Sequence, residues 1–197
     1  MANYGRTIRW SKTVQGFSDA LGGASEHLTG WAREWMAEAV RKALDQIDWD
    51  WDRHADWERK SGKVSVFGGS HFYPWYSGHL HDSIAGIVSD QHRTVAINYM
   101  KPGATAPHQT YKGQVIIGHD WAIQEARKIE KSLHFYPGIA ATIVVGVPYA
   151  KDVDETSRHA GFIRELNNQF VSKVEDYFYE KAEGYRTRWI VADKKKK

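Results

Sequence analysis

Apolar residues recur with helical spacing in two long segments, one near each end of the chain. From Ser25 to Ile47 they follow the i, i+3, i+4, i+7 pattern of one helical face, at Leu28, Trp31, Trp35, Met36, Ala39, Val40, Ala43, Leu44 and Ile47. Ser25 is a suitable N-cap, and the segment up to Lys60 is compatible with a continuation of the helix.

The second helical segment runs from Ser157 to Glu183. Its apolar stripe consists of Phe162, Ile163, Leu166, Phe170, Val174, Tyr177 and Phe178. Gly184 directly follows, and glycine is the residue that most often ends a helix. The pattern therefore predicts an amphipathic helix that packs on a sheet or on the first helix.

The middle of the chain has the character of strands and loops. All five prolines lie between Pro74 and Pro148, which places the long helices outside this region. Apolar residues alternate with polar or small ones from Thr94 to Met100, as in a half-buried strand. The Val- and Ile-rich runs Gln114–Gly118 and Ala140–Val147 predict well-covered strands.

Shorter features connect these strands. We expect Asp120 to cap a short helix, Trp121–Ser132, and Lys101–Lys112 to form a loop or extended arm. Gly62–Trp75 is a second loop, with room for a short strand at Val64–Phe67. The order of elements predicts an α+β fold, in which a small antiparallel sheet is covered on one face by the N-terminal and C-terminal helices. The loop and short helix are inserted between them.

Charge divides the chain into three parts. The formal net charge is +3, but residues 1–12 carry +3 and residues 186–197 carry +5, which leaves −5 for the body between them. We therefore expect a basic N-terminal arm (1–23), one α+β domain (24–185) and a basic C-terminal tail (186–197). The ends are expected to be solvated or to contact an acidic partner or a phosphate backbone.

Composition excludes several kinds of site and compartment. The chain has no cysteine, so disulfides, thiolate metal sites and cysteine nucleophiles are excluded. Neither an apolar signal segment after the first residues nor a run of ~20 apolar residues is present, so we expect synthesis in the cytoplasm and no membrane partner. Nine tryptophans are many for this length, and tryptophan is enriched at protein interfaces.

The strongest candidate for chemistry is His79-Leu-His81-Asp82. On a strand, side chains two residues apart share a face, so His79 and His81 with Asp82 suggest a metal-dependent hydrolase as one alternative. The other interpretation is a turn at Gly78 and Asp82–Ser83 that leaves both imidazoles exposed. No nucleophile elbow or glycine-rich phosphate loop is present, so we expect neither an enzyme nor a cofactor.

Acidic and aromatic residues mark a candidate contact surface. Asp152, Asp154 and Glu155 follow a predicted strand, and tryptophans alternate with aspartates in Asp48–Glu58. Carboxylates clustered at a strand end can hold Mg²⁺ or Ca²⁺, but a solvated loop is the simpler interpretation. The interface candidates are Trp49, Trp51, Trp57, Lys101, Pro102, Tyr111, Asp152, Asp154 and Glu155.

Ser77–Gly86 and Val145–Glu155 resemble two segments of the tail-completion and minor-capsid family of lambda-like tailed bacteriophages. Ser77-Gly-His-Leu-His-Asp-Ser-Ile-Ala-Gly86 is similar to the family's Gly-x-Leu-x-Asp-Ser-Ile motif, which lies between a long N-terminal helix and the first main strand, here Thr94–Met100. Val145-Gly-Val-Pro-Tyr-Ala-Lys-Asp-Val-Asp-Glu155 is similar to a later Tyr-Ala-x-x-Val-Glu segment that precedes the C-terminal helix. The motif residues are Gly78, Leu80, Asp82, Ser83, Ile84, Tyr149, Ala150 and Val153.

The resemblance implies architectural roles for these residues and no catalytic ones. It also implies a structural virion protein that forms a ring, a hexamer or a dodecamer, in the neck or tail-completion region. Its partners would be further copies of itself, portal or adaptor proteins and tail proteins, with DNA passing through the lumen. A self-assembling module outside a virion is a further alternative. We expect deletion of residues 101–112 to abolish assembly and leave a folded monomer.

Overall fold

A four-stranded antiparallel sheet with helices on both faces organises the part of the chain that is described. The computed structural model describes residues 6–9, 25–61, 66–67, 70–71, 77–90, 93–133, 139–156 and 160–194. The elements are β1 (Arg6–Arg9), α1 (Ser25–Ser61), β2 (Val66–Phe67), β3 (Ser70–His71), α2 (His79–Asp82), β4 (Ile84–Ser89), β5 (Thr94–Tyr99), β6 (Gln109–Tyr111), β7 (Gln114–Ile116), α3 (Gly118–Leu133), β8 (Ala140–Val145), α4 (Ala150–Thr156) and α5 (Phe162–Lys194). The α+β class predicted from the sequence is confirmed.

The sheet has the strand order β1-β8-β4-β5, and all neighbouring strands are antiparallel. β4 pairs with β8 from Ile84↔Val145 to Ser89↔Ala140, and with β5 on its other side. All six residues of β4 are buried, because this strand has a neighbour on each side and a helical layer on each face. The short pairs β2–β3 and β6–β7 form separate hairpins.

Two long helices cover one face of the sheet. α1 and α5 run antiparallel, as the ion pairs Glu38–Lys181 and Asp50–Lys173 show (3.0 and 3.1 Å). The apolar stripe predicted for α1 is buried against the sheet and against α5, and it continues to Trp51. The expectation that the two terminal helices cover one face of the sheet agrees with this arrangement.

The short helix α3 covers the opposite face, which the sequence analysis left open. Its buried residues Ala122, Ala126 and Ile129 form a second apolar cluster with residues of β4 and β8, namely Ala85, Ile87 and Val144. The small alanine side chains let the helix backbone approach the sheet closely. The fold is therefore a sheet between two unequal helical layers.

Gly86 on β4 lies directly against side chains of α1 and α5. A Cβ atom at this position would lie 2.6 Å from Cγ1 of Val40 and 3.1 Å from Cδ1 of Leu44. Gly86→Ala is therefore expected to lower the free energy of unfolding by about 1–3 kcal/mol through overpacking. Gly30→Ala on α1 is the matched control, since nothing lies within 4 Å of that Cβ.

The control substitution is expected to have the opposite sign. Alanine is favoured over glycine inside a helix by roughly 0.5–1 kcal/mol, so Gly30→Ala should stabilise the protein. Urea unfolding of both variants measures the difference. Equal effects of the two substitutions would show that the close approach at Gly86 is not rigid.

The ends of α3 and α5 differ from the sequence predictions. α3 begins at Gly118, so Asp120 lies inside its first turn and is not the N-cap. α5 begins at Phe162, where the carboxylate of Asp154 accepts the backbone N–H of Ile163 (2.8 Å). The predicted start at Ser157 lies outside the described residues. The helix also continues through Gly184 to Lys194, so the predicted C-terminal cap at Gly184 was wrong.

Several middle segments also differ. The strand Ile84–Ser89 was not predicted, and it, rather than Thr94–Met100, is the first strand after the His79–Asp82 turn. The predicted arm Lys101–Lys112 contains β6, and β7 is a hairpin strand with an exposed Val115, not a well-covered strand. β2 begins at Val66, and the predicted strand residue Val64 lies outside the described residues.

Parts of both basic ends have regular structure. Arg6–Arg9 of the predicted N-terminal arm pairs with β8 as an edge strand, and α5 extends into the predicted C-terminal tail as far as Lys194. The rest of the two ends, residues 1–5, 10–23 and 195–197, lies outside the described residues. Throughout the described part of the chain, the helices lack the combination of length and apolar composition that crossing a membrane requires.

Candidate functional site

The segment 78–83 forms a tight buried turn between α1 and the central strand. Gly78 has a φ of 83°, a conformation that glycine adopts without strain. A Cβ atom there would lie 2.6 Å from the Cα atom of Ala104. The backbone N–H of Asp82 donates to the carbonyl of Gly78 (2.9 Å), and the Ser83 hydroxyl donates to the carbonyl of Leu80 (2.7 Å). Leu80 and Ile84 belong to the core.

His81 lies between two carboxylates in the interior of the protein. Its Nε2 is 2.7 Å from Oδ1 of Asp48 on α1, and its Nδ1 is 2.9 Å from Oδ1 of Asp82. The side chain is 1% exposed, and its ring lies edge-on against Trp51 at 5.2 Å between centroids. Burial lowers the pKa of His81, but the hydrogen bonds and charges of the two carboxylates outweigh it and raise the pKa to about 9.

Asp82 connects the same turn to the loop after β5. Its two carboxylate oxygens accept the backbone N–H groups of Gly103 (2.8 Å) and Ala104 (3.0 Å). Burial raises the pKa of Asp82, but the hydrogen bonds from His81 and from these two amides outweigh it, so the net shift is downward. The carboxylate therefore links the turn, α1 and the loop through one buried charged network.

The geometry of this network does not favour the hydrolase alternative. Both ring nitrogens of His81 and both oxygens of Asp82 are already used in internal hydrogen bonds. Nδ1 of His79 lies 3.3 Å from the backbone nitrogen of Gly118, from which it accepts a hydrogen bond. In the described residues, no three or more His, Cys, Asp or Glu side chains are placed to hold a metal ion. The expectation of exposed imidazoles was wrong, because His79 and His81 are both buried.

The second motif segment forms the base of the β6–β7 hairpin. Tyr149 is buried, and its hydroxyl donates to Oε1 of Gln109 on β6 (3.1 Å), which also accepts from the Ser77 hydroxyl (2.7 Å). Burial, followed by the charge of Asp82, raises the pKa of Tyr149 far above its ordinary value. Ala150 and Val153 on α4 pack against the core. The motif residues of both segments thus make structural contacts.

The hairpin itself projects from this base. Its two-residue turn, Lys112-Gly113, has positive φ at both positions (48° and 78°), which matches the twist of paired strands. The Tyr111 hydroxyl and the Lys112 ammonium both contact the carboxylate of Asp152 on α4. On the outer side, Val115 is 60% exposed and Ile117 is 41% exposed. Val115 and Ile117 therefore expose apolar surface on the outer side of the ribbon.

The predicted interface residues differ in their exposure. Trp49, Lys101, Pro102, Asp152 and Glu155 are exposed, and Tyr111 is half-buried. Trp51 is fully buried beside His81, so its assignment to an interface was wrong. Asp154 is half-buried and caps α5, while Trp57 lies on α1 beyond the last side chain that the structure describes there.

A groove of about 220 Å³ separates α1 from the edge strand β5. One wall carries α1 residues and the other carries the end of β5 and the loop after it: Arg41, Leu44, Asp45, Asp48, Asn98, Tyr99, Met100 and Lys101. This groove was not predicted from the sequence, because it brings together segments about 50 residues apart. No signal in the sequence marks it.

The site is therefore a buried charged network flanked by two surface features, the hairpin and the groove. The network fixes the positions of both, since Asp48 borders the groove and Asp82 holds the loop that leads to the hairpin. Comparisons of the chain with protein-family models, with curated proteins and with solved structures gave no match.

Proposed function

We propose that the chain is a structural subunit that assembles into a ring at the head–tail junction of a tailed bacteriophage. The observation that carries this proposal is the projecting β6–β7 hairpin with its exposed Val115 and Ile117. A ring needs two different complementary surfaces on each subunit, and a ribbon of this kind supplies one of them.

Two further observations support the proposal. In the described contacts, the residues of the two motif segments form a turn, a helix start and the base of the hairpin. The order of a long helix, the turn, an antiparallel sheet and a second long helix also agrees with what the resemblance implies. In the proposed ring, the subunits join portal or adaptor proteins to the tail, and the basic C-terminal end faces the DNA in the lumen.

Deletion of residues 101–112, which the sequence suggested, does not test the role of the hairpin in assembly. Residues 101–112 include Gly103 and Ala104, whose amides satisfy the buried carboxylate of Asp82, and the whole of β6. Their removal is expected to unfold the protein rather than leave a folded monomer. Substitutions on the exposed face of the hairpin separate assembly from folding.

Val115→Asp combined with Ile117→Asp is expected to abolish assembly and leave a folded monomer, because a buried charge without a partner is strongly unfavourable in an apolar contact. The native mass, measured by size-exclusion chromatography with light scattering, should change from that of a hexamer or dodecamer to that of one chain. Negative-stain images should show rings only for the unsubstituted protein.

The matched control places two acidic side chains elsewhere on the surface. Gln124→Asp with Lys128→Asp alters exposed positions of α3 and should leave the rings intact. A monomeric unsubstituted protein at every concentration would contradict the proposed function. Rings that persist in the Val115/Ile117 variant would show that the hairpin is not the contact surface.

A further inference from the structure

β5 forms one edge of the four-stranded sheet. β5 is the last strand of the sheet, and in the described part of the chain no strand pairs with its outer side. Its sequence, Thr-Val-Ala-Ile-Asn-Tyr, contains neither proline nor charge. Proteins commonly protect such edges with these residues, since the unpaired N–H and C=O groups bind other strands. The bulge opposite Val88 and Ser89 lies near the Thr94 end of β5, so the regular part of the edge, from Ala96 to Tyr99, is the candidate site for strand addition.

The groove beside this edge contains a polar group that lacks a partner. The side-chain nitrogen Nδ2 of Asn98 is buried, and it has no hydrogen-bond acceptor among the described residues. Buried donors in native proteins are nearly always satisfied. The register places Asn98 opposite Gly86, on the sheet face that α1 covers. The site thus offers a donor that an incoming carbonyl oxygen would satisfy.

The charges along the groove are matched to one another. Arg41 contacts Asp45 at 3.1 Å, and Lys101 lies 3.4 Å from Asp45 and 3.9 Å from Asp48. The rim therefore has two cations and two carboxylates and is close to neutral, so it favours an uncharged occupant. Trp49, one helical turn after Asp45, is 54% exposed and adds apolar surface at the outer rim.

The β6–β7 hairpin has the complementary properties. β7 and the residue that follows it, Gln114-Val115-Ile116-Ile117, are uncharged, and together they are shorter than β5. Val115 and Ile117 are two residues apart, so they project from the same face of the extended chain, and both are exposed. Within its own chain the hairpin is held against α4 through Asp152.

We infer that the groove between α1 and β5 binds β7 of a second copy of this chain, which adds as a strand to the edge of β5. Backbone hydrogen bonds along the edge provide the affinity, one carbonyl accepts from Asn98, and Val115 and Ile117 cover the apolar rim at Trp49. This inference rests on the proposed function, for which it supplies the second of the two surfaces that a ring requires. Because the rim of the groove is close to neutral and β7 carries no charge, no like charges oppose the contact.

Cross-linking tests the contact directly, because the chain has no cysteine of its own. One preparation carries Val115→Cys, and a second carries Asn98→Cys or, two residues along the same face, Ala96→Cys. Oxidation of the mixture is expected to give an intermolecular disulfide in at least one pair, since a bridge requires Cα atoms about 4.4–6.8 Å apart. Folding of each variant is checked by circular dichroism.

The control pairs Val115→Cys with Gln124→Cys, which lies exposed on α3 at the opposite face of the sheet. The cross-linked dimer should be roughly tenfold or more abundant in the test pairs than in this control, because contact raises the effective concentration. Rings without a disulfide in either test pair would overturn the inference and leave the proposed function intact. Monomers without a disulfide would contradict both.

Discussion

Asp82→Ala is expected to lower the free energy of unfolding by about 3–5 kcal/mol, the usual cost of removing one partner of a buried ion pair. The substitution leaves His81 with a single carboxylate, and it leaves the amides of Gly103 and Ala104 without an acceptor. Urea unfolding measures the loss. Hydrogen exchange should also show that the two amides lose protection, since they no longer have an acceptor in the interior.

Asp45→Ala is the matched control for this prediction. Asp45 also accepts from cationic partners, Arg41 and Lys101, but all three side chains are largely exposed. Exposed ion pairs contribute about 0–1 kcal/mol, so the control variant should unfold close to the unsubstituted protein. If Asp82→Ala lost no more stability than Asp45→Ala, the buried network would not hold the loop in place.

Stability is expected to fall by about 3 kcal/mol between pH 6.5 and 9.5, since one pKa unit corresponds to about 1.4 kcal/mol. The pKa of His81 is raised from 6.5 to about 9 in the folded protein, so the folded state keeps a proton that the unfolded state loses over this range. The contribution is complete below pH 6.5 and disappears as the pH passes through 9. Each ring nitrogen of His81 faces one carboxylate, and an ionised carboxylate can only accept a hydrogen bond. Both nitrogens must therefore donate, which only the imidazolium can do.

His81→Gln provides the control for the pH dependence. This variant is less stable, but it has no titrating ring, so its free energy of unfolding should change little between pH 6.5 and 9.5. Unfolding midpoints in urea at several pH values give both curves. A flat curve for the unsubstituted protein, or the same slope in both proteins, would contradict the assignment of the charge to His81.

The sequence predicted those elements that have either a clear period or an unbroken apolar run. The stripe of α1 has one buried face, and β8 is an apolar run rich in β-branched residues. β4 was missed because its sequence, Ile-Ala-Gly-Ile-Val-Ser, shows neither alternation nor an unbroken run of β-branched residues. The end of α5 was misplaced because Gly184 is exposed and open space surrounds it, where a glycine costs a helix only about 1 kcal/mol.

The candidate site was less predictable, because it depends on contacts between distant segments. The burial of His81 requires Asp48, which lies 33 residues earlier on α1, and neither residue alone indicates the pair. The burial of Trp51 was predictable from its position four residues after Ile47 on the buried stripe. The alternation of tryptophan and aspartate suggested a surface instead. The groove with Asn98 follows from the strand register, which the sequence does not specify.

The position of β8 between β1 and β4 has a consequence for the newly made chain. The ribosome has finished β4 at Ser89, but β8, the neighbour of β4 on the side away from β5, begins only at Ala140. At about 5–20 residues per second, the ribosome needs roughly 3–10 s to make the chain between them. During this interval an apolar strand has one pairing edge occupied by β5 and the other exposed. The synthesis of this protein is therefore most exposed to aggregation, and most dependent on chaperones, between these two strands.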